Sequence, residues 1–279
     1  MTPQTETPLD HIAFIGGGNM ASAIIGGLLR RGMSASQVQV VEPLAAQRDT
    51  LALQFAGIQL LDVPTAALGP AALVVWAVKP QTFQVAASAA APFTGNALHL
   101  SVAAGIRSDA IARWLCTERV VRCMPNTPAL IGKGITGLFA RPGVSAADRL
   151  AAERVIATTG ESLWLADEAQ LDAVTALSGS GPAYVFYFLE AMTEAGRQMG
   201  LPQADALRLA LATFGGATAL AADSSDAPDV LRARVTSPGG TTFAAITVMQ
   251  QADIGPHFIR AMRAARQRAS DMGDEFGSK

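Results

Sequence analysis

Three consecutive glycines, Gly16 to Gly18, stand between the apolar run "IAFI" and a loosely periodic apolar segment over 19–31. Adjacent positions without a Cβ, between a strand-length and a helix-length segment, mark a turn that other residues cannot make or a backbone that something approaches closely. Read as G-x-G-x-x-A, Gly16, Gly18 and Ala21 have the context that gives this pattern its meaning. The first glycine makes the turn, the second admits a pyrophosphate, and the small third residue seats the helix on the strand. The anion then faces a helix N-terminus. A tight glycine turn in an unrelated α/β protein is the plainer alternative, and Glu42 at the end of the next strand argues against it.

The rest of the first half has the same rhythm. "VQVVEP", "ALVVWAVKP", "ALHLSVA" and "RVVRCMP" are of strand length and alternate with helical stretches such as 44–56, as βαβ units around a parallel sheet do. The continuous apolar run 73–78 suits a strand buried on both faces. From about Ser145 the character changes, and beyond "ESLWLADEAQ" helix signals follow one another at 182–199, 203–222, 227–234, 241–252 and 256–272. The expected fold is therefore α/β: a Rossmann-type dinucleotide-binding domain over 10–166, then an all-α domain over 167–279. In the helix 182–199, Val185, Phe188, Leu189, Met192, Ala195 and Met199 recur at helical spacing, while Phe186 and Tyr187 put bulk on the opposite face. Such a helix is expected to be buried nearly all round, in a domain core or against another subunit.

Composition removes several function classes. A net charge of −2 leaves no basic footprint for nucleic acid or an anionic membrane surface. Apolar runs such as "AYVFYFL" are too short to span a bilayer. Cys116 and Cys123 lack metal-ligand or disulfide spacing, which fits a reducing cytoplasm and a packing role. "MTPQTETPLD" carries two acids and no apolar core, so it reads as a loose leader rather than a secretory signal. His11, His99 and His257 are far apart and read as structural, which disfavours a reaction needing a strong base on an alcohol.

Other residues carry chemistry with alternatives attached. Glu42 falls where an acid bonds the adenosine ribose and would repel a 2′-phosphate, favouring NADH. It also reads as an ordinary exposed Glu before Pro43, and Arg48 lies within reach of a phosphate. In "RVTSPGGTTFAAI", Ser237 to Gly240 precede Thr241 and Thr242 at a helix start, which makes either a small carboxylate pocket or a mere cap. "ALSGSGPAYVF" places a Gly/Ser turn at the head of the apolar helix, or a loop that only permits tight packing. Lys79 before Pro80 reads as a strand-end bend lining the nucleotide rather than as a catalytic base.

Together "IAFIGGGNMA", "AVKPQ", "SVAAGI", "RCMPNTPAL", "DAVTALSGSGPAYVF" and "RVTSPGGTT", in this order from residue 12 to 242, closely resemble the pyrroline-5-carboxylate reductases. The first motif is shared by many dinucleotide enzymes; the SGSGPAY and SPGGTT segments are specific to this family. The resemblance implies reduction of Δ1-pyrroline-5-carboxylate to L-proline with NADPH or NADH. A protonated imine is already an electrophile, which accounts for the missing histidine. By the same matching Ile15, Gly16, Gly17, Gly18, Asn19, Met20, Ala77, Val78, Lys79, Pro80, Val102, Ala103 and Ala104 line the dinucleotide, with Asn126 and Thr127 at its nicotinamide end. The backbone at Gly240 and Thr241 would take the substrate carboxylate, and the Thr242 hydroxyl would act catalytically at the ring nitrogen. Glu168 falls where the resemblance places an acid at the substrate site, although "ADEAQ" otherwise reads as an exposed turn. Several relatives have a small hydroxyl residue where this chain has Glu42, so the choice between NADPH and NADH stays open. The family also implies a cytoplasmic enzyme that forms an interlaced helical dimer, often assembled further into a decamer.

Two alternatives are reductases of the same broad class, one acting on β-hydroxy acids and one on other cyclic imines. The first usually relies on a Lys in its helical domain, and none occurs from Pro142 to Phe276. A third, a nicotinamide-sensing regulator without catalysis, would have no use for the SPGGTT segment.

Overall fold

The computed structural model describes residues 10–277, so the leader-like residues 1–9 lie outside the described part. Each apolar run expected as a strand is one. Ile12–Ile15 (β1) is followed by Asn19–Arg30 (α1), Val38–Val41 (β2), Ala45–Gln54 (α2), Gln59–Leu61 (β3), Leu73–Trp76 (β4) and Pro80–Thr94 (α3). Leu98–Ser101 (β5), Ser108–Leu115 (α4), Val120–Met124 (β6), Gly134–Ala140 (β7), Ala146–Ile156 (α5) and Gly160–Trp164 (β8) complete the sheet region. The strands run in the order β3-β2-β1-β4-β5-β6-β7-β8, parallel except for the β6–β7 pair. Three strands, β3, β7 and β8, went unsignalled. β7 contains two glycines, and β8 is an edge strand with Glu161, Ser162 and Leu163 exposed, so neither shows a continuous buried run.

Alternate residues of β1 face opposite cores. Ile12 and Phe14 pack with Ile24, Ile25, Leu51 and Val75 on one side, while Ala13 and Ile15 pack with Val74, Trp76, Phe83 and Ile111 on the other. Covering on both faces is what makes the strand sequence continuously apolar. Strand order reverses at β1, between β2 on one side and β4 on the other, which opens a crevice at the carboxyl ends of these strands. Register sharpens this: Ile15 pairs with both Val41 and Trp76, so Gly16, Glu42 and Ala77 all leave the sheet at one level.

The remaining elements are Gln170–Val174 (α6), Gly181–Gln198 (α7), Gln203–Asp223 (α8), Pro228–Arg234 (α9), Thr241–Gln251 (α10) and Ile254–Gly277 (α11). The Gly/Ser stretch before α7 is not the open turn its composition suggests. Thr175–Gly179 is a π turn continuing α6, and a Cβ on Gly179 would overlap the Met124 side chain, so tight packing is what the glycine serves there.

By contacts the chain divides into two compact units, one reaching to Ser180 and resuming at Ala265, the other Gly181–Ala264. The sequence boundary between 166 and 167 marks where strands give way to helices; the sheet unit holds further chain because α6 and the end of α11 pack on it. Arg107 Nη2, for example, meets Asp274 Oδ1 at 2.7 Å. In the helical unit, α7 buries only Leu189 and Gly196 while Phe186 and Tyr187 are 58% and 69% exposed. The expectation of burial in the chain's own core is thus overturned, and burial against another subunit is the option left. Cys123 packs in β6 as expected, but Cys116 does not: it is exposed and ends α4 with φ +52°. No helix of the described residues is long and apolar enough to cross a membrane.

Candidate dinucleotide and substrate sites

The three glycines after β1 serve three purposes. Gly16 has φ +94°, and a Cβ there would lie 2.6 Å from the Ala77 carbonyl oxygen, so turn and close approach both exclude a side chain. At Gly17 a Cβ would lie 2.5 Å from Leu51 Cδ1. Gly18 is different: nothing lies within 4 Å of its Cβ position, and it is exposed at the N-cap of α1 with no side-chain cap. The N–H groups opening α1 therefore face free space, where an anion is favoured by unpaired donors and the helix dipole. Ala21 is fully buried, as the small residue that seats the helix should be.

Along the same edge, Ala77 and Val78 are partly buried and Lys79 is exposed as the N-cap of α3, with Pro80 at its first position. The Lys79 carbonyl accepts from both the backbone N–H and the hydroxyl of Thr82 at 3.0 Å, which fixes the bend. Val102, Ala103 and Ala104 follow β5, and the Ala103 N–H is 3.4 Å from Ser101 Oγ. Asn126, after β6, accepts from the Ile135 N–H through Oδ1 at 3.0 Å. All these groups stand at the carboxyl ends of β1, β4, β5 and β6, where ligands of open parallel sheets bind.

Glu42 is not the exposed residue its place before Pro43 suggests. It is 8% exposed; Oε2 accepts from the Gly17 N–H at 2.9 Å and Oε1 from the Leu44 N–H at 3.0 Å. Arg48 Nη1 donates to the carbonyls of Glu42 and Pro43 at 2.7 and 2.8 Å. Nothing in the sequence pointed to Gln47, whose Nε2 donates to the Gly17 carbonyl at 2.6 Å. It sits in the first turn of a helix among other polar residues and carries no motif.

Glu168 is not a solvated turn residue either. Its Oε1 accepts from Arg122 Nη1 and from the Ser108 N–H, both at 2.6 Å, and Oε2 accepts from Ser108 Oγ at 2.6 Å. Arg141 Nη1 reaches the same hydroxyl at 3.2 Å. A cavity of about 160 Å³ beside it is lined by Arg107, Arg122, Glu168 and Asp172. Burial raises the Asp172 carboxyl above its ordinary range against the pull of Arg122, Arg107 and Arg266. Ser108 and Arg122 were not expected at a site; a charge inside the apolar run "VVRCM" was the one signal available.

In the helical unit, Ser237–Gly240 form a turn closed by the Gly240 N–H on the Ser237 carbonyl at 3.0 Å, with Gly239 at φ +72°. Gly240 is the N-cap of α10 without a side-chain cap, and the first α-helical bond runs from the Ala244 N–H to the Gly240 carbonyl. The N–H groups of Thr241 and Thr242 are thus among the helix donors without an intrahelical partner. Thr241 is exposed and Thr242 half-buried. Residues 15–20, 42, 77–80, 102–104, 126 and 168 belong to the sheet unit; Gly240, Thr241 and Thr242 belong to the helical unit.

His257 Nδ1 lies 3.0 Å from Arg260 Nη2 on the exposed surface of the helical unit. His99 is fully buried in β5, where Nδ1 accepts from Trp76 Nε1 at 3.0 Å, and burial lowers its pKa from 6.5 to about 4. No cluster able to hold a metal ion occurs among the described residues.

Comparison with known proteins adds to this geometry. Residues 168–272 match the family model for pyrroline-5-carboxylate reductase dimerisation, and residues 11–105 match the model of NADP oxidoreductases, coenzyme F420-dependent. The chain is 46% identical to a pyrroline-5-carboxylate reductase of Pseudomonas aeruginosa over 96% of its own length and 98% of that protein's. It is 39% identical to one from Haemophilus influenzae, over 95% and 98%. Among solved structures, a pyrroline-5-carboxylate reductase from Coxiella burnetii superposes with a TM-score of 0.87 at 34% identity, covering 95% of this chain and 99% of that one.

Proposed function

We propose, for a chain that belongs to the pyrroline-5-carboxylate reductase family, a division of labour between its two compact units. The protein is an oxidoreductase that reduces Δ1-pyrroline-5-carboxylate to L-proline in proline biosynthesis. The dinucleotide supplies the hydride when bound. The observation that carries its placement is Gly18, the one glycine of three with open space over it, in front of an uncapped helix. The residues present fit the group: backbone N–H donors face the pyrophosphate position, and a side chain at Gly18 would intrude there.

Residues 15–20, 77–80 and 102–104 line the dinucleotide, and Asn126 with Thr127 face its nicotinamide end. The N–H groups of Gly240 and Thr241 hold the substrate carboxylate, and the Thr242 hydroxyl hydrogen-bonds the ring nitrogen as the imine becomes an amine. Glu168, bonded to Arg122 and Ser108 in the sheet unit, is the acid we assign to substrate binding, as the family resemblance implies. No residue needs to abstract a proton from an alcohol, so the absence of histidine from these groups costs the reaction nothing.

Glu42 supports a preference for NADH. Its carboxylate accepts from two backbone N–H groups just after β2, the place in this fold from which an acid disfavours a 2′-phosphate. The helical unit self-associates, as its dimerisation-family match indicates, and its exposed Phe186, Tyr187 and Leu209 support that surface as the dimer contact. A decamer of such dimers in the cytoplasm is the further assembly we assign.

The test follows oxidation of NADH and NADPH spectroscopically with pyrroline-5-carboxylate, and reduction of NAD+ and NADP+ with 3-hydroxy acids. Oxidation with the cyclic imine alone is expected, with the larger kcat/KM for NADH. Turnover only with the hydroxy-acid couple would overturn the reaction, and a larger kcat/KM for NADPH would overturn the role of Glu42.

A further inference from the structure

The middle glycine of the turn is gripped on both sides. Its N–H donates to Glu42 Oε2 at 2.9 Å, its carbonyl accepts from Gln47 Nε2 at 2.6 Å, and Leu51 packs against its α-carbon. All three partners come from the end of β2 and from α2. The brace is itself braced: the Gln47 N–H bonds the Leu44 carbonyl at 3.1 Å, the Leu44 N–H bonds Glu42 Oε1, and Arg48 bridges the carbonyls of Glu42 and Pro43.

This grip has a directional consequence. A trans peptide is planar, so the carbonyl of Gly17 and the N–H of Gly18 lie in one plane and point in opposite directions. Cis peptide bonds are absent from the described residues. Holding the Gly17 carbonyl toward Gln47 therefore aims the Gly18 N–H the opposite way, away from Gln47, and the Cβ position of Gly18 beside it is open. With two glycines in succession, φ and ψ on either side of that peptide are otherwise soft.

We propose that Gln47 is a positioning residue for the cofactor: its carboxamide sets the Gly17–Gly18 peptide so that the Gly18 N–H is pre-aimed at the pyrophosphate. The inference rests on the reading that the dinucleotide binds at this turn. Because NADH and NADPH share the pyrophosphate, Gln47 affects both equally, which separates it from Glu42, whose loss also changes the ratio between the two. A glutamate at 47 would set acceptor against acceptor and add a negative charge near the phosphates. A lysine would keep a donor for the Gly17 carbonyl.

The experiment uses the full chain, with calorimetric binding of ADP-ribose and steady-state kinetics with both cofactors. Gln47→Ala should raise the Kd for ADP-ribose and the KM for NADH and NADPH together, by about tenfold, the loss of one oriented hydrogen bond. The kcat and the KM for pyrroline-5-carboxylate should hold. Gln47→Glu should be worse and Gln47→Lys should recover part of the loss, an order that mere loosening of α2 would not produce. An unchanged Kd in Gln47→Ala, or a shift in the NADH/NADPH ratio, would overturn the role of Gln47. Failure of the wild-type protein to bind ADP-ribose would instead overturn the underlying site.

Discussion

The two compact units spend similar apolar residues in opposite ways. In the sheet unit, every residue of β1 and β4 is at most 2% exposed. In the helical unit Phe186, Tyr187, Leu209, Leu211, Leu220 and Val248 are all more than half exposed. A parallel sheet with helices on both faces completes its own burial within one chain. Helices that leave large apolar side chains open are unfinished until something covers them, and the dimerisation match over 168–272 indicates that this region self-associates. Similar hydrophobicity thus serves folding in one region and assembly in the other.

The largest expected effect tests that contrast directly. Phe186→Asp should dissociate the protein, read by sedimentation velocity, and remove activity with it, since burying a charge at a contact worth about 3–5 kcal/mol for an aromatic is not tolerated. Val85→Asp, on a residue 75% exposed but in the sheet unit, should change neither. If both variants sediment like the parent, the helical face is not the contact and the distinction collapses.

Next come the glycines, which oppose backbone need to ligand need within one turn. Gly16→Val should unfold or severely destabilise the sheet unit, by several kcal/mol on the order of an overpacked, strained site, because of its φ and the Ala77 carbonyl. Gly18→Val should fold, shown by its circular dichroism and thermal midpoint, yet fail to bind NADH in calorimetry. A Gly18→Val protein with normal affinity would remove the pyrophosphate from this turn.

Acid should weaken the sheet unit through His99. His99 has a folded-state pKa lowered from 6.5 to about 4 by burial, so the unfolded chain binds its proton first as pH falls. Stability is fully present above pH 6.5 and declines down to about pH 4, by about 3 kcal/mol in all. His99→Gln should be less stable at neutral pH but should flatten this part of the curve of unfolding free energy against pH. A parallel decline in that variant would assign the acid sensitivity elsewhere.

Smaller again is the hydroxyl of Thr242. Thr242→Val should lower kcat/KM by about ten- to a hundredfold, roughly 1.5–3 kcal/mol, while Thr242→Ser is mild. Full activity in Thr242→Val, at saturating cofactor and unchanged thermal midpoint, would leave the helix start with only the carboxylate to hold. Smallest is Glu42→Ser, which should move the kcat/KM ratio toward NADPH by on the order of 1 kcal/mol. Both cofactors should also bind less well, since the Gly17 N–H loses its acceptor.

Much was readable from the sequence because the physics was local. Strands buried on both faces need unbroken Val, Ile and Leu; helices announce themselves by period; a glycine turn between the two kinds of segment leaves few uses. The six motifs spread from residue 12 to 242 carried the family. What stayed hidden was set by partners distant along the chain. Glu42 and Gln47 meet Gly17 from 25 and 30 residues away, and Glu168 meets Ser108 from 60, so no window of sequence shows that these side chains are braces. β8 lacks the buried run of an inner strand because an edge strand in this sheet does not need one. Helix 182–199 was apolar on several faces, which required cover, but local pattern cannot say whether the cover comes from the same chain. Only the tertiary structure decided that: the chain's own packing leaves Phe186 and Tyr187 open, because hydrophobic burial responds to whatever surface is near in space and carries no record of which chain supplies it.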